Sequence, residues 1–206
     1  MLAGFDPSEL IDRAERLAFW INLYNALVIH AVIAYGVKES IREVAGFFWR
    51  AAYRLGNQRY SANDIEHGIL RANRGHPLIP GPHFAENDPR RAHVVEPMDL
   101  RIHFALVCAS RSCPLIGVYE AEANDRQLDL AARNFVNHGG VEVDPRARRV
   151  ALSRIFFWYG RDFGGARGAV DFVLPYLDEG PAKAYLTKNP RGLRVGYQPY
   201  DWSLNR

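Results

Sequence analysis

The 206-residue chain has two cysteines, Cys108 and Cys113, and a histidine, His103, precedes them on one apolar stretch. A cysteine, an imidazole in reach and a third group that orients the imidazole make up the set that acyl transfer requires. The sulfur attacks as thiolate, the imidazole takes and returns the proton, and the third group fixes the tautomer. Cys113 stands directly before Pro114, a residue suited to the first position of a helical turn, so its thiol is expected at a helix N-cap. Free backbone N–H groups and the local dipole stabilise a thiolate there, and Arg111 adds positive charge. The same turn offers the Ser112 and Cys113 N–H groups as oxyanion donors. Cys108, at the end of the apolar run, reads as a small buried hydrophobe. Taken alone, His103 reads as a core histidine satisfied by a carbonyl; the cysteine turn that follows it favours catalysis.

The group that orients His103 has four candidates: Glu66, Asn22, Asn25 and Asp201. Glu66 and His67 are adjacent on an expected helix, point about 100° apart, and so cannot pair through their own side chains. Asn22 and Asn25 share one face of an apolar helix, where they either bridge backbone groups of a neighbouring element or line a polar, substrate-binding cavity. Two further chemistries compete with the nucleophile. A Cys108–Cys113 disulfide would make a redox site, although the spacing is not that of Cys-x-x-Cys proteins. A metal held by His103, both cysteines and His67 or His76 would lack the close cysteine spacing of zinc sites. The expectation is therefore no metal and no cofactor.

The elements that must position these groups can be read from periodicity and turn signals. A long helix capped near Asp6 or Ser8 runs into the apolar stretch 17–37 and stops at Gly36. A short helix over 40–45 and the aromatic block Phe47, Phe48, Trp49 follow. Gly56 and Asn57 form a turn between two short strands, and Ser61 or Asn63 caps a second helix over 64–72. Residues 74–99, rich in Pro, His and Gly, form a long irregular loop expected to cover the site. Residues 101–108 read as an interior strand, apolar on both faces. An amphipathic helix over 124–137, a hairpin joining 141–143 to 150–152, helices near 155–163 and 169–176, and a final strand from Leu193 complete the chain. This is α+β, a helical front half packed on a small antiparallel sheet, in a single domain spanning 1–206.

Composition excludes whole classes. With 48% hydrophobic residues, 24% charged and a net charge of +3, the chain is neither disordered nor dependent on disulfides. Its arginines are spread out, and the densest run, Arg146 to Arg149, sits in an expected turn, so nucleic acid is not an expected partner. No Gly-rich phosphate loop follows a strand. Stretch 17–37 contains Asn22, Asn25 and His30, and charged residues run into it, which favours a core helix over a transmembrane segment.

Four motifs in order carry a resemblance: AFWINLYNAL at 18–27, NDIEHGILR at 63–71, RIHFALVC at 101–108 leading into Ser112, Cys113 and Pro114, and YDWSLN at 200–205. Together they resemble the domain-of-unknown-function family numbered 547. The resemblance implies a fold similar to papain-like cysteine peptidases, with Cys113, His103 and Glu66 as catalytic residues. Asn22, Asn25 and Ser112 are then expected at the substrate. Relatives usually carry Asn-Cys-Gly where this chain has Val107, Cys108 and Ala109. Many bear export signals, which implies a periplasmic or secreted location. The function so expected is a cysteine-dependent hydrolase or acyl transferase acting on an amide, γ-glutamyl or thioester bond of a small-molecule or peptide substrate. A thiol–disulfide or deglutathionylating protein using Cys113 with Cys108 is one alternative, and a non-catalytic binding module another.

Overall fold

A computed structural model describes residues 2–189 and 192–205. Residues up to Gln127, together with those from Asp201 on, form one compact unit, and Leu128–Tyr200 form a second.

The first unit is organised by α1 (Arg13–Ala34). Its start is set locally: the Asp12 carboxylate accepts from the Ala14 N–H, and Glu15 reaches back to the Asp12 N–H, a capping box. The expected cap at Asp6 instead opens a separate 3₁₀ turn, Pro7–Glu9. Gly36, at φ +64°, takes the left-handed conformation that ends the helix. Leu17, Trp20, Ile21, Tyr24, Leu27, Val28 and Ala31 are buried, so α1 is a core helix. Among the described residues it is also the one helix long and apolar enough to cross a membrane.

A one-turn helix α2 (Phe47–Arg50) leads into the hairpin of β1 (Ala52–Leu55) and β2 (Gln58–Ser61), paired antiparallel across Gly56 and Asn57. The expected second helix is present, but it is a π-helix, Asp64–Leu70, whose wide turns show in the Arg71 N–H bonding the Glu66 carbonyl five residues back. All seven of its residues are buried.

Residues 101–108 are not a strand. Leu100–Phe104 form a 3₁₀ helix capped by Asp99, whose carboxylate accepts from the Arg101 N–H. A continuous apolar run looks the same in a buried strand and in a buried turn, so hydrophobicity could not separate them. The backbone beyond it finds its partner in a side chain rather than in a neighbouring strand, as described below.

In the second unit, α3 (Asn124–Phe135), which begins in the first, continues into a short π-turn, Val136–Gly140. A sheet of β3 (Val141–Asp144), β4 (Arg149–Leu152) and β5 (Arg194–Tyr197) follows, with helices α4 (Arg154–Trp158), α5 (Gly165–Val173) and α6 (Pro181–Lys188). β3 and β4 are antiparallel, but β5 runs parallel to β4. The five strands thus form a two-stranded and a mixed three-stranded sheet rather than one antiparallel sheet. The architecture is α+β.

Candidate active site

α1 holds the cysteine segment with two amide side chains on one face. Asn25, buried, donates from Nδ2 to the Ala105 carbonyl at 2.9 Å and accepts at Oδ1 from the Val107 N–H at 3.0 Å. One turn earlier, Asn22 makes the same pair of bonds to the carbonyl and N–H of Tyr119, at 2.7 and 2.9 Å. Each amide thus completes two backbone groups that would otherwise be desolvated without partners. The staples fall on either side of Cys108 and Cys113. Of the two readings open for these asparagines, the bridging one describes their contacts.

Between the staples the chain turns tightly. Ala109 has φ +62°, a left-handed conformation unusual for a residue with a Cβ. The Cys113 N–H donates to the Ser110 carbonyl at 3.0 Å and closes the turn. Cys113 Sγ accepts from the Cys108 N–H at 2.8 Å, and Cys108 Sγ lies 3.0 Å from Ser110 Oγ. Neither cysteine is in a disulfide, and both are partly buried.

This geometry corrects the expected helix N-cap. No helix follows Pro114; residues 114–120 have no regular structure, and Leu115, Ile116 and Val118 are exposed. The fixed φ of proline suits extended backbone as well as a first helical turn, and the Tyr119 staple lies at the end of this irregular run. The sulfur has one directed N–H, from Cys108, in place of a helix terminus. The expected oxyanion donors are also engaged: the Cys113 N–H as above, and the Ser112 N–H with the Asp201 carbonyl at 3.3 Å. Ser112 Oγ accepts from the Asp201 N–H at 2.8 Å.

The tail 201–205 is laced onto the cysteine turn. Ser110 bridges Leu204, the Arg111 N–H donates to the Ser203 carbonyl, and the Asn205 N–H to that of Ala109. Asp201, a candidate to orient the histidine, turns its exposed carboxylate onto Ser203 N–H and Oγ, whose bonds hold it below the usual carboxylate range.

His103 lies in the 3₁₀ helix and is buried, at 4% exposure. Glu66, buried in the π-helix, accepts at Oε2 from Tyr24 Oη at 2.9 Å. Tyr24 neighbours Asn25, so consecutive residues of α1 hold Glu66 on one side and the backbone beyond His103 on the other. His67 Nδ1 lies 3.8 Å from Glu66 Oε1, beyond hydrogen-bond reach but within ion-pair distance, so the two neighbours approach through their side chains, contrary to the expectation for adjacent helical residues.

His67 belongs to a second group of rings. Arg71, itself buried, donates from Nη1 to His67 Nδ1 at 3.1 Å and to the Gly75 carbonyl at 2.5 Å. Arginine has no acceptor, so that His67 nitrogen carries a lone pair and the ring is neutral. Burial first, and then the Arg71 charge, push the His67 pKa down to about 3, against the pull of Glu66. His76 meets His67 edge-on at 5.0 Å, and His83 donates to Asp64 Oδ1 at 2.8 Å while Trp49 stacks on its ring. The only nitrogen lone pair fixed here at His67 faces a guanidinium, an arrangement that repels a cation.

Sequence reasoning missed Tyr24, Arg71 and the terminal lacing. Tyr24 stood in the open, a hydroxyl between two asparagines on an apolar helix. Arg71 was a charge directly ending a fully apolar turn.

Comparison with known proteins gives one match. No curated protein and no solved structure matches the chain. The family model described as "Protein of unknown function, DUF547" matches residues 8–136, more than half of the chain and the span that includes Tyr24, Glu66, His103 and Cys113, and the protein belongs to that family.

Proposed function

We propose that the protein is a cysteine-dependent hydrolase or acyl transferase with a papain-like working set, acting on an amide, γ-glutamyl or thioester bond. The observation that carries this reading is the Cys108 N–H directed at Cys113 Sγ from 2.8 Å. A backbone donor aimed at sulfur favours the thiolate, the nucleophilic form. In the proposed reaction His103 takes the Cys113 proton, and the sulfur attacks the carbonyl carbon. His103 then protonates the leaving amine or thiol, leaving a thioester on Cys113. Water releases the acid in hydrolysis, and an acceptor amine or thiol takes the acyl group in transfer. Glu66, held by Tyr24, keeps the imidazole in the tautomer that faces sulfur. Export to the periplasm or outside the cell belongs to the same reading.

Iodoacetamide labelling of the native, reduced protein across pH tests it. One thiol, lost in Cys113→Ala, is expected to react with a plateau at lower pH than a free cysteine of pKa about 8.5, and His103→Ala is expected to shift it part of the way back to the ordinary profile, the Cys108 N–H remaining in place. If both thiols stay silent until denaturant is added, the enzyme reading is wrong. The same 2.8 Å contact also favours a second reading, since it keeps the two cysteine α-carbons within about 7 Å, the span of a disulfide. Cys108→Ala separates the two, leaving acyl chemistry intact and abolishing a resolving-thiol reaction.

A further inference from the structure

The loop after the π-helix carries a feature the catalytic reading leaves unused. Its base is fixed: Asn73 donates from Nδ2 to the Phe84 carbonyl at 3.1 Å and accepts from the Phe84 N–H at 2.7 Å, while the His83 N–H reaches the Asn73 carbonyl. From this base projects the tip Pro77, Leu78, Ile79, Pro80, where Leu78 is 75% and Ile79 53% exposed. Trp49, 46% exposed, stacks on His76, the residue whose Nδ1 accepts from the Leu78 N–H. The indole and the two aliphatic side chains are therefore joined through one ring.

The tip's backbone offers no free N–H donor. Pro77 and Pro80 have no N–H, the Leu78 N–H is held by His76 Nδ1 at 3.2 Å, and the Ile79 N–H by the His76 carbonyl at 3.1 Å. Every N–H from 77 to 80 is thus absent or satisfied within the loop, which removes the donors' share of the penalty for entering hydrocarbon. It also removes the donors with which a segment pairs to the edge of another protein's sheet. Within the stretch 47–82 that carries Trp49 and the tip, the exposed charge is of one sign. Between residues 47 and 82 the acids are Asp64 and Glu66, both buried, whereas Arg50, Arg54, Arg59 and Arg74 are exposed. Arg59 donates from Nη2 to the Trp49 and Arg50 carbonyls, which places its charge at the backbone that carries the indole.

From the apolar tip, its satisfied backbone donors and the exposed arginines of the same stretch, we infer that this face docks the protein on an anionic lipid surface, with Leu78 and Ile79 entering the acyl boundary and Trp49 at the headgroup level. Aliphatic burial supplies the anchor, and the arginines supply attraction to negative headgroups.

Flotation of the full chain with vesicles of phosphatidylcholine, with and without phosphatidylserine, tests this. Binding is expected to the serine-containing vesicles and to weaken with added salt. Leu78→Ser with Ile79→Ser is expected to lower it at least about tenfold, and Arg50→Ala about fivefold, with unchanged thermal melting showing that the variants fold. No binding to either vesicle overturns the inference, as does equal binding by wild type and the double variant. Loss of a protein partner from the double variant, with no vesicle binding by wild type, also overturns it. Flotation needs no reactive thiol, so its outcome is independent of the chemistry proposed for Cys113.

Discussion

At the scale of single residues, three positions hold states that the unfolded chain would not. His67 stays neutral because burial and Arg71 disfavour its charge, with its pKa at about 3. An unfolded imidazole takes its proton near pH 6.5. Between about pH 6.5 and 3 the unfolded chain therefore holds the extra proton, and stability falls as pH falls, by at most about 1.4 kcal/mol per unit. Above pH 6.5 His67 contributes no pH dependence. Asp64 acts in a lower window: although burial opposes its charge, bonds from His83 and Ser61 and the Arg90 charge hold it down to about 2, so its contribution is present above about pH 4 and is lost towards pH 2. His67→Asn keeps an acceptor for Arg71 and removes the titration. Urea unfolding of this variant is expected to show a shallower loss of stability between pH 6.5 and 4 and an unchanged slope between pH 7 and 9. Ala109 holds its unusual state in the backbone. Its φ of +62° costs about 1 kcal/mol for an alanine, so Ala109→Gly is expected to raise stability by about 0.5–1 kcal/mol in the same assay.

At the scale of elements, α1 does for the cysteine segment what an adjacent strand does elsewhere. The Asn25 amide presents one donor and one acceptor to Ala105 and Val107, the pattern of a β-bridge supplied by a side chain. Asn25→Ala would leave both backbone groups buried and unpaired, and a loss of about 2–4 kcal/mol is expected by urea unfolding. A control, Asn189→Ala, removes an amide bonded within its own helix end and is expected to cost less. This substitution of side chain for strand is also why the sequence was read well in some places and poorly in others. The β1–β2 hairpin was legible because Gly56 and Asn57 carry their turn signal locally. The α1 face was legible because Asn22 and Asn25 sit at helical spacing within it. Residues 101–108 were misread because their partner lies some 80 residues away and is a side chain, which periodicity does not register. The Cys113 environment was misread because Pro114 is compatible with both a helix start and an extended chain. The chemistry-bearing residue types were readable, whereas the donor at the sulfur, a backbone N–H of Cys108, has no side-chain signature at all.

At the scale of the whole molecule, the unit bearing Cys113 is assembled from two separated lengths of chain, and residues 201–205 close it. The bonds from Arg111 to Ser203, from Ser112 to Asp201 and from Asn205 to Ala109 are contacts of the cysteine turn with this tail. A chain ending at Tyr200 is expected to keep the α1 core but lose this lacing. Amide exchange at Arg111 should accelerate at least about tenfold, and alkylation of Cys113 should lose its distinct pH profile. Unchanged protection at Arg111 would show that the turn is held by α1 alone.

The lacing also sets an order of events during synthesis. Cys113 leaves the ribosome well before Asp201, and at about 5–20 residues per second the interval is about 4–18 s. Throughout that time the thiol exists without the strand-like edge that later fixes Ala109 to Ser112. The nascent turn therefore holds only the contacts made within it and with α1, and those to the tail form when the distant segment arrives. A chain cut short by a premature stop anywhere in the second unit would lack them.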